Sequence, residues 1–269
     1  DNPRFDFEVN ALGTFNVLES VRLHCPKALV AYSSTNKVYG GMEDVKITNN
    51  GNCYEYESLP EGVDETRPLY FHSPYGCSKG AADQYIVDYA RIYDMNTVSF
   101  RQSCIYGTRQ FGVEDQGWVA WFTIASHFKK AITLYGDGQQ VRDVLWIDDL
   151  VDVYELALEK RKELKGHAFN LGGGPENTLS LLKLLDVLGK EFGQKNIIWV
   201  IEVGGMRIAH LGDNGPITDQ IRTAIGEVDI LMLPADGDQH ILLFAPTGSG
   251  KGVGFVIPNL LIWTESVII

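Results

Sequence analysis

Apolar residues open the chain at Phe5, Phe7, Val9, Leu12, Phe15, Val17, Leu18 and Val21. Their near-helical spacing predicts a helix that turns one face to a core. Residues 28–32 then form a short continuous apolar run, the pattern of a buried strand. No period follows in residues 41–73, which contain Asn49-Asn50-Gly51 and two prolines and predict a long irregular excursion. A helix is predicted to start near Ser73-Pro74, where proline is tolerated in a first turn, and to run through Ile86, Val87, Tyr89 and Ala90. Residues 97–101 read as the next strand and 118–130 as a helix. Another helix opens at Ile147, with Asp148 and Asp149 at its favourable end. Residues 168–171 predict a strand, and 179–192 an amphipathic helix capped by Thr178 or Ser180. Farther on, the runs 208–211, 230–233 and 241–244 have the look of short buried parallel strands. Strands alternating with helices predict an α/β fold built on a parallel sheet.

Composition narrows the class. A chain of 269 residues with 45% apolar and 22% charged residues is ordinary for one or two globular domains, able to bury roughly 70–75% of the unfolded surface. A formal charge of −12 argues against nucleic acid or an anionic membrane as partner, since both are held by basic patches. Cys25, Cys53, Cys77 and Cys104 form no C-x-x-C pair and read as reduced thiols. No apolar run approaches the ~18–20 residues of a membrane span, and no signal peptide is recognised. The expected compartment is cytoplasmic.

Chemistry concentrates in two stretches, Tyr32-Ser33-Ser34-Thr35-Asn36-Lys37-Val38-Tyr39-Gly40 and Tyr75-Gly76-Cys77-Ser78-Lys79. Tyr75 and Lys79 are four residues apart and so share a helix face. An ammonium held beside a phenol favours the phenolate, which makes the pair a proton-transfer device. Thr35, at the end of the 28–32 strand, lies where open α/β sheets place ligands and can hydrogen-bond the same substrate oxygen.

These stretches resemble the active site of the extended short-chain dehydrogenase/reductase family, a Ser/Thr with Tyr-x-x-x-Lys. Further segments sharpen the resemblance to the CDP-paratose (CDP-tyvelose) 2-epimerases: Asn10-Ala11-Leu12-Gly13-Thr14, residues 100–107 and 111–118, Gly136-Asp137-Gly138-Gln139-Gln140-Val141-Arg142-Asp143, and residues 172–180. The resemblance covers about the first 198 residues. It implies NAD as cofactor, held by Asn10, Ser33, Tyr75, Lys79 and Gln102. It implies a CDP-hexose substrate bound by Thr35, Gln116, Gly117, Trp118 and Arg142. The bound NAD⁺ would take hydride from C2 of the sugar while Tyr75 removes the hydroxyl proton, Lys79 keeps Tyr75 ionised and Thr35 holds the oxygen. Hydride would return to the other face. A homodimer through the Tyr75 helix and its neighbour near residues 8–22 is also implied. Plainer readings stand beside these: Arg142 ion-paired with Asp143 or Asp148, Trp118 as core, Asn10 as a polar helix residue.

The family begins with a strand and a Gly-rich turn that admits the NAD pyrophosphate to a helix N-terminus. No such turn precedes Asn2-Pro3. The expected fold is therefore α/β, an incomplete Rossmann-like parallel sheet with a small substrate-binding α/β region. The expected function is an epimerase by ancestry with impaired cofactor binding; the alternative is a non-catalytic sugar-nucleotide- or nucleoside-triphosphate-binding remnant. Residues 1–198 would form the epimerase-like domain. Residues 199–238 resemble a fragment of a metallo-β-lactamase-fold hydrolase, in which Asp213 would be a ligand; lacking the His cluster, it predicts no metal site. Residues 239–269 resemble the Walker A region of type IV secretion coupling ATPases. There Gly248 and Gly250 would cradle phosphate, Lys251 would reach it, and Gly252 replaces the usual Ser/Thr. Either a spliced reading frame or a fusion that supplies substitute αβ units would account for this order.

Overall fold

In a computed structural model of the chain, residues 2–50, 53–114, 116–130 and 132–192 are described, with the backbone of four strands between 199 and 244. Residues 1–110 and 141–179 form one unit; residues 111–140 and 180–269 form the other.

The first unit begins with α1 (Pro3–Asp6), capped by the Asn2 side chain, which accepts from Phe5 N at 3.2 Å. A π-helical turn (Phe7–Leu12) leads directly into α2 (Gly13–His24). The predicted helix is present, but its expected core-facing stripe is not. Only Ala11 and Leu18 are buried, whereas Phe5, Phe7, Val9, Leu12, Phe15 and Val17 are exposed. The helix is apolar nearly all round, so its period could not say which side meets the sheet.

The chain continues through β1 (Leu29–Thr35), a 3₁₀ turn (Asn36–Tyr39), the small hairpin β2 (Ile47–Asn49) and β3 (Tyr54–Tyr56), and α3 (Ser73–Tyr93). Asp94, in the left-handed region at φ 59°, ends α3 before β4 (Asn96–Gln102) and β5 (Cys104–Tyr106). The second unit takes up the chain with α4 (Trp118–His127). The first unit resumes with β6 (Val141–Trp146), α5 (Ile147–Glu159) and β7 (His167–Leu171), and β8 (Thr178–Ser180) leads into α6 (Leu181–Glu191).

The central sheet has order β1-β4-β7, all parallel, with Tyr32 beside Ser99, Ser33 beside Phe100, and Phe100 beside Phe169. Partners in a parallel register share a face, and side chains alternate along each strand. Tyr32, Ser99 and Arg101 therefore face α3, while Ser33, Phe100 and Gln102 face α5. Two apolar clusters follow: Leu18, Ile86, Tyr89 and Met95 on the α3 side, and Val98, Phe100 and Ala157 on the α5 side. A smaller sheet, of order β5-β6-β8, carries β5 and β6 parallel.

In the second unit Ser180 caps α6, its Oγ accepting from Lys183 N at 3.2 Å. The tail forms a four-stranded sheet from β9 (Trp199–Val203), β10 (Met206–His210), β11 (Ile230–Pro234) and β12 (Ile241–Phe244). Only β10 and β11 pair in parallel; β9 and β12 add antiparallel on the two edges. The expectation of parallel strands throughout the tail is corrected here: short apolar runs reveal strands, not their direction.

Candidate functional site

Thr35 ends β1 almost fully buried, and its Oγ1 accepts from Lys37 N at 3.2 Å, capping the 3₁₀ turn that follows. That turn lies against the first turn of α3: a Cβ placed on Gly76 would stand 3.3 Å from the Lys37 carbonyl oxygen. The strand end bearing Thr35 and the helical turn bearing Tyr75 are thus packed backbone to backbone, which a glycine at 76 permits. Tyr75 itself is exposed.

Lys79 lies one turn along. Its Nζ donates to the Ser33 carbonyl on β1 and sits 4.5 Å over the Tyr32 ring. Burial lowers the pKa of its ammonium, and the charge of Asp83 opposes that effect. Burial pushes the Tyr32 phenol up.

Asn10 is held in the π-helical turn, where its Nδ2 donates to Ser78 Oγ at 3.0 Å. Ser78 Oγ in turn donates to the Tyr75 carbonyl at 2.9 Å. A π turn rotates side chains off the regular helical stripe, and such turns concentrate at functional sites. On the other face of the sheet, Ser33 Oγ donates to Gln102 Oε1 at 2.8 Å and Gln102 Nε2 donates to Tyr154 Oη at 3.0 Å.

Behind Lys79 lies a buried polar chain. Arg101 Nη2 meets Asp83 Oδ1 at 2.9 Å, and Ser99 Oγ donates to Asp83 Oδ2 at 2.6 Å. Arg101 Nη1 donates to Tyr39 Oη at 2.9 Å, and Tyr39 Oη donates in turn to Asn170 Oδ1 at 2.7 Å. Asn170 Nδ2 donates to the Val63 carbonyl at 2.8 Å, and Asn170 N to Glu65 Oε1 at 2.6 Å. Burial pushes the Asp83 carboxyl up, but hydrogen bonds from Arg101 and Ser99 and the Arg101 charge together hold it below the ordinary carboxylate value.

Arg142, on β6, is exposed and donates to its neighbour's carbonyl, Val141 O, at 2.9 Å. Among the described residues it makes no ion pair. Asp143 instead accepts from Gly173 N at 2.7 Å, and Asp148 from Trp146 Nε1 at 3.0 Å. The plain ion-pair reading of Arg142 is thereby corrected: backbone and indole donors already claim both carboxylates. Gln116, Gly117 and Trp118 belong to the second unit. Gln116 exchanges backbone hydrogen bonds with Val113 at 2.9 Å, and Gly117 adopts φ 71° at the start of α4. Trp118 packs edge-on to Phe122 at 5.8 Å, and its buried indole N–H has no acceptor among the described residues. Asp213, Gly248, Gly250 and Lys251 lie outside the described residues. Among those described, no three His, Cys, Asp or Glu side chains converge as metal ligands. No helix among them is long and apolar enough to cross a membrane.

Sequence reasoning missed Ser78, Asp83, Arg101, Tyr39 and Asn170. A signal existed for two of them. Asp83 continues the 75–79 spacing by another four residues, and Arg101 is the one charged residue in the strand Asn96–Gln102.

Residues 1–172 match the NAD dependent epimerase/dehydratase family, and residues 211–269 match the Type IV secretory system Conjugative DNA transfer family. The chain is 50% identical over 193 residues to the CDP-paratose 2-epimerase of Salmonella typhi, covering 70% of this chain and 57% of that one. Its fold is similar to that of a UDP-glucose 4-epimerase from Thermotoga maritima, solved with UDP-glucose. There the TM-score is 0.62 at 28% identity, over 76% of this chain and 60% of the other. It is also similar to the Thermus thermophilus UDP-glucose 4-epimerase in complex with NAD, with a TM-score of 0.56 at 29% identity over 70% and 55% of the two chains. The chain spans little more than half the length of these relatives.

Proposed function

The chain belongs to the NAD dependent epimerase/dehydratase family, and on that premise we propose that it is a nucleotide-sugar epimerase of the CDP-paratose 2-epimerase type. The observation that carries the reading is the reach of Lys79 Nζ from α3 to the Ser33 carbonyl at the end of β1, beside the Gly76–Lys37 contact. Together they support the reading by holding the helical turn that carries Tyr75, and the Lys79 ammonium, against the strand end that carries Thr35, at the carboxyl end of a parallel sheet where such folds bind ligands.

The residues present fit NAD: an exposed phenol, a half-buried ammonium and hydroxyls at a strand end suit a ribose and its neighbouring ring. Asn10, Ser33, Tyr75, Lys79 and Gln102 would hold it, Asn10 through Ser78 and Gln102 through Ser33. When bound, the cofactor supplies reversible hydride chemistry at the sugar carbon. Tyr75, as phenolate, takes the proton of the hydroxyl on that carbon and later returns it. Lys79 holds positive charge beside that phenolate, and Thr35 orients the substrate oxygen. Arg142, exposed with a planar fork of five donors, is suited to a diphosphate, and Gln116, Gly117 and Trp118 would contact the sugar nucleotide. The substrate class is a CDP-hexose, on the strength of the relative from Salmonella typhi. The exposed apolar side of the first helix and the neighbouring α3 would pair with a second copy, and the protein would act in the cytoplasm. A second reading, nucleoside-triphosphate binding through Gly248, Gly250 and Lys251, draws on the match of residues 211–269.

Calorimetric titration of the whole chain with NAD⁺, CDP and ATP tests these readings. NAD⁺ and CDP binding, with NAD⁺ binding weakened in Lys79→Met, is the expected result. CDP binding without NAD⁺ binding would leave a substrate-binding protein and end the epimerase reading for this chain.

A further inference from the structure

Tyr75, Lys79 and Asp83 stand at successive four-residue steps of α3, so one helix face carries a phenol, an ammonium and a carboxylate in line. The carboxylate is the only one of the three with no access to solvent: Asp83 is 0% exposed and its partner Arg101 is 6% exposed. A buried ion pair adds little stability over an apolar pair of the same volume, because desolvation offsets the attraction. Its presence one helical turn from Lys79 calls for another role.

The geometry supplies one. Arg101 reaches Asp83 through both Nε, at 3.2 Å to Oδ2, and Nη2, at 2.9 Å to Oδ1. Such a two-pronged contact fixes orientation as well as distance. Arg101 is paired in register with Ser34, one residue beyond the Ser33 carbonyl that receives Lys79. The same guanidinium holds Tyr39, the last residue of the turn that Thr35 caps. One cation thus ties the Tyr75–Lys79 helix, the strand end that receives Lys79 and the turn after Thr35 into a single arrangement. We propose that Asp83 and Arg101 are the positioning residues of this site: the pair sets α3 against β1 and β4 so that Lys79 meets the Ser33 carbonyl, and the Asp83 carboxylate, one turn along the same helix face, supplies negative charge behind the half-buried Lys79 ammonium.

Among the described residues, Lys79 is faced by Asp83 from its own helix and by the Tyr32 ring and Ser33 carbonyl from β1, with the Arg101 cation of β4 on the far side of Asp83. Removing the Asp83 charge therefore leaves Lys79 without a nearby carboxylate among the described residues. The role of Lys79 rests on the epimerase reading, but the test needs no cofactor. The whole chain is treated with a trace amine-acylating reagent at a series of pH values, and labelling of Lys79 is read by peptide mass spectrometry against the exposed Lys162. In Asp83→Asn, Lys79 labelling at a fixed mildly alkaline pH is expected to rise several-fold and its pH midpoint to fall, with Lys162 unchanged; Asp83→Glu is expected to restore the original profile. Because Asp83→Asn leaves the Arg101 charge buried and unpaired, it can fail to fold. The double variant Asp83→Asn/Arg101→Met removes both charges and is expected to show a smaller rise in the same direction, because the opposing Arg101 charge goes with Asp83. A folded variant, by circular dichroism, whose thermal midpoint falls while the Lys79 profile stays as in the parent would overturn the proposal and leave the pair a purely structural clamp. A parallel NAD⁺ titration of the parent chain separates the two ideas: its failure removes the epimerase reading, while the Lys79 profile reports on Asp83 alone.

Discussion

Lys79 and Asp83 have opposite troubles in the same helix, and the signs of their shifts determine how stability should respond to pH. Burial lowers the Lys79 pKa, so the folded chain holds that proton less well than the unfolded chain does. The resulting penalty persists at neutral pH and is relieved only as pH rises through the lowered value toward the ordinary lysine range near ~10.4. Asp83 is held below its ordinary value. Its ionised form therefore stabilises the fold above the carboxylate range near ~3.9, and that stabilisation fades as pH falls through the folded value. Urea unfolding midpoints are expected to drop on the acid side, as the Asp83 carboxylate takes up its proton. The acid slope should be shallower in Asp83→Asn/Arg101→Met, and an identical slope in that variant would remove Asp83 from the account.

At the level of elements, the contact between the turn after Thr35 and the first turn of α3 is the most demanding join in the site. Two effects compete when Gly76 becomes alanine. Helix propensity favours alanine by about 0.5–1 kcal/mol in a helix interior, whereas the new Cβ would crowd the Lys37 carbonyl at 3.3 Å. That separation is tight but within a few tenths of an ångström of ordinary contact, so the turn can give slightly rather than unfold. Gly76→Ala is expected to shift the thermal midpoint by only a few degrees, about what 1 kcal/mol moves in a domain of this size. NAD⁺ affinity should nevertheless fall several-fold, because the turn is displaced from Tyr75. Unchanged affinity would show that the join does not set the site.

The whole molecule presents a long apolar helix surface that its own sheet leaves uncovered. Phe5, Val9, Leu12 and Leu23 all point outward, and Phe15 meets the exposed Tyr85 of α3 edge-on at 6.1 Å. Contiguous exposed apolar surface on this scale marks an interaction site. Sedimentation of the chain is expected to show a dimer. Val9→Glu/Leu12→Glu should give a monomer with little loss of unfolding midpoint, since both side chains are already solvent-exposed in one copy. A parent chain that sediments as a monomer would leave that surface without the second copy proposed for it.

The sequence by itself determined what depends on neighbours a few residues away. It placed the α/β alternation, the helix from Ser73, the strand leading to Thr35, a cap at Thr178 or Ser180 and the Tyr75–Lys79 spacing, because helical period, strand length and capping are local. Its motif order also carried the family, which the match over residues 1–172 bears out. Only the tertiary structure decided what depends on chain segments far apart. Periodicity could not tell which side of the first helix was buried, because both sides are apolar. It could not give the strand directions of the tail, because direction is a property of pairing. Nor could it bring Arg101 to Asp83, or Asn170 to Tyr39 across 131 positions, because a buried polar group finds its partner by packing and not by spacing along the chain.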